Sequence, residues 1–293
     1  MNSFITYILT GFFLLTQSVT TVEWTKVSEG NKFPEGPAWN SSKNELYVSN
    51  CYANWITRIK DDKADTLLLA DSINYIATNG MTVGPDGYLY ACDFGLGAII
   101  RIKDGKAEKF IPGYGGERLH KPNDITFDKN GNLYFSEPNS YDKNIPDGRV
   151  FFYNFKTKQL IKVADSITFP NGLGISPVDG RLYLSESVQS RVLSFRVNED
   201  GTLSDKRVFI ELPGGDPDGM NFDEMGNMFL AHFGSGTIFV IAPEGQILKR
   251  IKAPGMKPSN VEFGGPNGEY LFITEDETNS VYRTELSQIG LNK

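Results

Sequence analysis

One short pattern recurs six times along the chain: LYVSN (46–50), LYACD (89–93), LYFSE (133–137), LYLSE (182–186), MFLAH (228–232) and LFITE (271–275). Fourteen or fifteen residues before the last residue of each copy, a turn-and-strand segment begins. These segments start at Glu35, Asn79, Asn123, Asn171, Asp218 and Asn260, at intervals of 42 to 48 residues. Between the two strands of each unit lies a turn such as GPDG, DKNG, SPVDG, DEMG or GGPNG. Asp-Gly and Asn-Gly turns between strand-like runs suit tight hairpins. Third strands follow as WITRIK, AIIRIK, GRVFFYN, RVLSFRV, GTIFVIA and SVYRTEL, and a fourth is often visible, as in TLLLA, KFI and RVFIEL. A unit of about four antiparallel strands in that length is a propeller blade. The sequence predicts an all-β, six-bladed β-propeller with four-stranded antiparallel blades.

The last unit has three strands before the chain ends, while VEWTKVS (22–28) precedes the first. This N-terminal segment is expected to supply the outer strand of the last blade and close the ring, which removes an exposed sheet edge. Residues 21–293 then form a single propeller domain. Residues 1–20 are expected to be a signal peptide. FITYILTGFFLL (4–15) has the length of a signal core, although no Lys or Arg precedes it. The expected location is therefore secreted or periplasmic, with no stable membrane insertion after cleavage.

Net charge is −7, and no basic block of five residues occurs, which argues against a nucleic-acid partner. Two cysteines, Cys51 and Cys92, make neither a zinc site nor a disulfide framework by themselves. They pair in an oxidising compartment or remain as buried thiols. Asn40-Ser41-Ser42 is the sole glycosylation sequon. Phosphate-loop, dinucleotide and G-x-S-x-G nucleophile motifs are absent, and FGSGT (233–237) falls in a predicted hairpin, so no organic cofactor is implied.

First strands of propeller blades line the central channel. Glu35, Asn79, Asn123, Asn171, Asp218 and Asn260 should therefore form a ring around the axis. Such a ring either holds channel water or binds a hard cation, since calcium takes six to eight oxygens from carboxylates, amides and water. A second set, Asn50, Asp93, Glu137, Glu186, His232 and Glu275, ends the second strands. From it, His232 and Glu186 are expected to support the ligands from behind.

The motifs EGPAW, KPNDITF, FPNGL and DPDGM, in this order and spacing, resemble the senescence marker protein (regucalcin) / gluconolactonase / luciferin-regenerating-enzyme-like family. The resemblance runs from about residue 24 to 285. It implies a propeller with one divalent cation, Ca²⁺ first and Zn²⁺, Mg²⁺ or Mn²⁺ as alternatives. The family's metal ligands match Glu35, Asn171, Asp218 and Asn123. Lys121 stands where a basic residue contacts substrate in sugar-lactone members, often an arginine, and lysine lacks the bidentate fork. His120 and Asn123 join Lys121 as expected substrate contacts. The implied activity is opening of a sugar or small aliphatic lactone, with Asp218 catalytic as base or nucleophile. A phosphotriesterase resembling diisopropyl fluorophosphatase, or a non-catalytic calcium-binding propeller, remains open. Oligomeric state is not readable from the sequence.

Overall fold

The second strand of each repeat is buried along nearly its whole length, because a blade has a neighbour on both faces. The aromatic and branched residues of the LYxx pattern suit that two-sided environment. The computed structural model describes residues 19–290. The expected signal peptide falls almost wholly outside them.

A short strand β1 (Thr25–Ser28) precedes the first blade, β2 (Pro34–Asn40), β3 (Glu45–Asn50), β4 (Trp55–Lys60) and β5 (Lys63–Leu69). The second blade is β6 (Thr78–Val83), β7 (Leu89–Asp93), β8 (Ala98–Lys103) and β9 (Lys106–Ile111). The third is β10 (Ile125–Phe127), β11 (Leu133–Glu137), β12 (Gly148–Asn154) and β13 (Gln159–Ile167). The fourth is β14 (Pro170–Ile175), β15 (Leu182–Glu186), β16 (Arg191–Val197) and β17 (Leu203–Glu211). The fifth is β18 (Asp216–Phe222), β19 (Met228–Phe233), β20 (Thr237–Ile241) and β21 (Ile247–Lys252). The sixth is β22 (Pro258–Gly264), β23 (Tyr270–Glu275) and β24 (Ser280–Glu285), with β1 hydrogen-bonded to β24 as its outer strand. All strand pairings within the blades are antiparallel, so the fold is the six-bladed propeller expected.

The closing strand is shorter than 22–28. Thr20 bridges to Ile251, and the Trp24 indole N–H donates to the Lys252 carbonyl (2.8 Å). The chain therefore runs along the edge of the fifth blade before it joins the sixth.

The core is six hydrophobic seams, one per blade interface. Alternate residues of a strand point to opposite faces. Leu46 and Val48 accordingly pack with Val27, Phe272 and Val281, whereas Tyr47 between them packs with Met81, Ala91 and Ile100. Closure of the ring is thus built from the same residues as any other interface. Cys51 and Cys92 are both buried free thiols. Asn40 is buried as well, its Oδ1 accepting from Ser42 Oγ and the Lys43 N–H, which takes the sequon out of reach in the folded chain. Among the described residues no helix is long and apolar enough to cross a membrane.

Candidate active site

The inner strands approach one another so closely that the residue after each ring position is constrained. A Cβ on Gly80 would lie 2.2 Å from Asp124 Oδ1, and one on Gly219 would lie 2.0 Å from Asn260 Cγ. Five of the blades carry Gly, Gly, Asp, Gly and Gly at this position, and the sixth carries Asn260. This corrects one expectation. Pro258 pairs with Glu275 as Pro34 pairs with Asn50, so Ser259 occupies the ring position of the sixth blade. Asn260 lies one layer deeper and donates to Glu35 Oε2 (3.4 Å).

The other five ring residues, Glu35, Asn79, Asn123, Asn171 and Asp218, line one cavity of about 540 Å³ at the channel mouth. Three of their backbones are pinned by the serines of the LYxS pattern. Ser49 Oγ donates to the Asn79 carbonyl (2.6 Å), Ser136 Oγ to that of Asn171 (2.7 Å), and Ser185 Oγ to that of Asp218 (2.7 Å). Each serine thus holds the ring residue of the next blade. This device was visible in the sequence as the recurrent Ser, but nothing local says which carbonyl it meets.

Apart from Glu35, the side chains of these five ring residues are not engaged. Among the described residues, no protein hydrogen bond reaches the amides of Asn79, Asn123 and Asn171 or the carboxylate of Asp218. Glu35 accepts only from the Gly36 N–H (3.1 Å) and Asn260, both through Oε2. Burial pushes the Glu35 carboxyl up to about 8, and the Asp124 charge adds to this against the Gly36 and Asn260 hydrogen bonds. Asp218 is raised well above the carboxylate range by burial, then by the charges of Glu35, Asp276, Asp124 and Asp216. Two buried carboxyl groups facing unengaged amide oxygens form an all-oxygen donor set, which fits a hard divalent cation whose charge would favour the ionised carboxylates. Among the described residues no three His, Cys, Asp or Glu side chains gather as a metal cluster, so amides must complete the set. Cys51 lines the same cavity, but burial raises its thiol and Sγ donates to the Thr78 carbonyl (3.3 Å).

Lys121 and His120 are both exposed, and of the two only Lys121 lines the cavity wall. The His120 backbone N–H instead donates to Glu137 Oε1 (2.8 Å). Glu186 and His232 lie outside the cavity too. Glu186 accepts from the Thr168 N–H (2.9 Å), from Thr168 Oγ1 (2.7 Å) and from Arg191 Nε (2.6 Å). His232 Nε2 faces the Leu212 carbonyl (2.8 Å), which requires the proton there, so Nδ1 accepts from Ser235 Oγ (2.7 Å). Both therefore anchor the segment that enters the neighbouring inner strand. Asp93 does the same through the N–H groups of Ile76 and Ala77.

Two features escaped sequence reasoning. Asp276 is buried, and among the described residues neither of its carboxylate oxygens has a hydrogen-bond partner. Burial, then the Glu35 and Glu275 charges, push its carboxyl up to about 10 against the pull of Lys257. The rim of the cavity is aromatic, built from Phe33, Tyr52, Phe94, Tyr141, Phe169 and Phe233. Phe33 and Phe169 take left-handed backbone conformations (φ 57° and 48°), a strain of roughly 1–3 kcal/mol each for bulky residues. They stand two residues before Glu35 and Asn171, on blades opposite each other in the ring.

Residues 33–276 match the model of the SMP-30/Gluconolactonase/LRE-like region. The chain belongs to this family. Among family relatives it is 28% identical to a gluconolactonase of Zymomonas mobilis, covering 88% of this chain and 80% of that protein. It is 30% identical to the diisopropyl-fluorophosphatase of Loligo vulgaris, covering 91% of this chain and 93% of that one. Of solved family structures, a gluconolactonase from Xanthomonas campestris superposes with TM-score 0.80 at 28% identity, covering 90% and 89% of the two chains. Each of the four motifs that carried the resemblance places an acidic or amide residue on the cavity, and Asn79 joins them there.

Proposed function

We propose that this chain is a divalent-cation-dependent hydrolase that opens a lactone on the floor of the mouth cavity. The observation that carries the reading is the convergence of the buried Glu35 and Asp218 carboxylates with the half-buried, unengaged amides of Asn123 and Asn171 in one open cavity. Relatives named gluconolactonase support the substrate class. These four residues would hold the ion, and an all-oxygen set favours Ca²⁺ over Zn²⁺. When bound, the cation would supply Lewis-acid polarisation of the ester carbonyl and balance the charge that develops on its oxygen.

The chain's own residues do the rest. Asp218 is the cavity-floor carboxylate that no protein donor engages, so it can accept a proton from an attacking water. Glu35, deeper and tied to Gly36 and Asn260, holds charge and does not move it. Lys121, at the wall, orients the ring oxygen of the substrate. The aromatic rim limits access of bulk water.

The test is to remove metal with a chelator and restore Ca²⁺, Mg²⁺, Mn²⁺ or Zn²⁺ in turn, following acid release from lactones. Wild type should recover with one cation, and Asp218→Asn should not recover with any. Recovery of the variant, or turnover without a cation, would overturn the mechanism. A second reading is phosphotriester hydrolysis, favoured by the Loligo vulgaris relative and by the apolar rim. Fluoride release from a fluorophosphate in the absence of lactone turnover would select it.

A further inference from the structure

We infer that the substrate carries an apolar substituent, an alkyl chain or an aryl ring, and is not a polyhydroxylated sugar lactone. The inference rests on the hydrolase reading above and concerns what the walls of that site accept. Tyr52, Phe33 and Phe233 form one aromatic arm, with centroids 4.5 Å apart for Tyr52–Phe33 and 6.2 Å for Phe33–Phe233. Tyr141 and Phe169 form a second, edge to face at 4.8 Å, and Phe94 stands on the second blade.

Several of the polar groups between these arms are already engaged. Ser187 Oγ donates to the Pro217 carbonyl (2.7 Å), and the Tyr141 hydroxyl donates to Asp216. The oxygens of Glu35 and Asp218 are those that would hold the ion. With Asn123 and Asn171 assigned to the ion, Lys121 and the Asn79 amide are left as unengaged polar side chains of the wall, too few to serve every oxygen of a polyhydroxylated ring. A sugar lactone would bring several hydroxyls into this space, and a buried hydroxyl without a partner is disfavoured. Aromatic faces also stack on sugar rings, but stacking covers C–H faces and leaves the hydroxyls at the ring edge unmet. An alkyl or aryl group needs no partner and gains from every apolar contact with the two arms.

The experiment uses the cation-loaded protein and compares kcat/KM for four kinds of six-membered lactone: unsubstituted, alkyl-substituted with increasing chain length, benzo-fused and polyhydroxylated. Each added methylene is expected to raise kcat/KM about fourfold until the cavity is filled. The polyhydroxylated ring should fall at least about a hundredfold below the best alkyl lactone. A matching series of alkyl lactams, which are not hydrolysed, should bind with Kd tightening in step. Phe33→Ala and Phe233→Ala should each shrink the alkyl-to-unsubstituted ratio about tenfold. Tyr52→Ser, at a side chain 75% exposed, carries the same test if those variants do not fold. A polyhydroxylated lactone turned over as well as the alkyl series, or flat chain-length dependence, would overturn the inference. If no lactone is turned over with any cation, the hydrolase reading fails, and the lactam series alone decides the character of the cavity.

Discussion

Two rings of polar residues circle this propeller, and they differ in where their hydrogen bonds go. The ring at the ends of the second strands, including Asp93, Glu137, Glu186 and Glu275, is buried and engaged with backbone N–H groups of the segments entering the inner strands. Glu137 and Glu186 also carry ion pairs to Arg149 and Arg191. The ring on the inner strands has its backbone pinned and its side chains left over. Six-fold repetition with polar residues is common to both. A polar group that the fold satisfies is part of the scaffold, and one that the fold buries without a partner awaits a ligand.

This contrast can be broken by experiment. Asp218→Asn should lower kcat about a thousandfold, the scale of a lost general base, without lowering Tm, because it removes one of two facing carboxylates. A large loss of Tm would place Asp218 in the scaffold. Glu186→Ala should do the opposite: stability falls by about 2 kcal/mol or more as the Thr168 N–H and Arg191 lose their acceptor, a drop in Tm of roughly 5 °C. Loss of activity at full stability would move Glu186 to the site.

A pH series sharpens the same comparison. Burial raises Glu35 and Glu262 to about 8 in the folded chain, above their ordinary value of 4.5. The folded state then holds these protons more tightly than the unfolded state. Metal-free protein should be most stable near pH 5 and lose Tm as pH rises through 8. Glu262, which accepts from Asn221 Nδ2 (2.9 Å) in a small cavity below the ring, lies off the proposed ion site. Glu262→Gln should flatten part of this fall, and saturating cation should flatten the part due to Glu35. A Tm that climbs between pH 5 and 8 in chelator would contradict both assignments. The smallest effect is expected of Ser136→Ala, which removes the hydrogen bond to the Asn171 carbonyl: about 1 kcal/mol of stability and a modest loss of cation affinity, read by calorimetric titration.

Much of this was legible in the sequence because a propeller repeats. The strand pattern recurs at blade length, so six weak signals reinforce one another, and Glu35, Asn123, Asn171 and Asp218 could be placed at one end of one channel. Lys121 was found by the same register. His120 was not separable from Lys121, because adjacent residues in a loop point in different directions and nothing local says which. The sixth blade was misread by one residue, since SN offers two polar candidates and only the contact of Asn260 with Gly219 tells them apart. Asp276 stood in the acidic run EDE, where the buried, unpartnered carboxylate carries no local mark that sets it apart from the buried, engaged Glu275 or the exposed Glu277.

The sequence by itself determined the number of blades, the strand order within them and the residues that reach the axis, because these follow from local pattern and repetition. Tertiary structure alone decided which polar atoms are left without partners and which aromatic rings meet above them. Both depend on residues brought together from different blades, and a hydrogen bond between blades has no sequence periodicity to betray it.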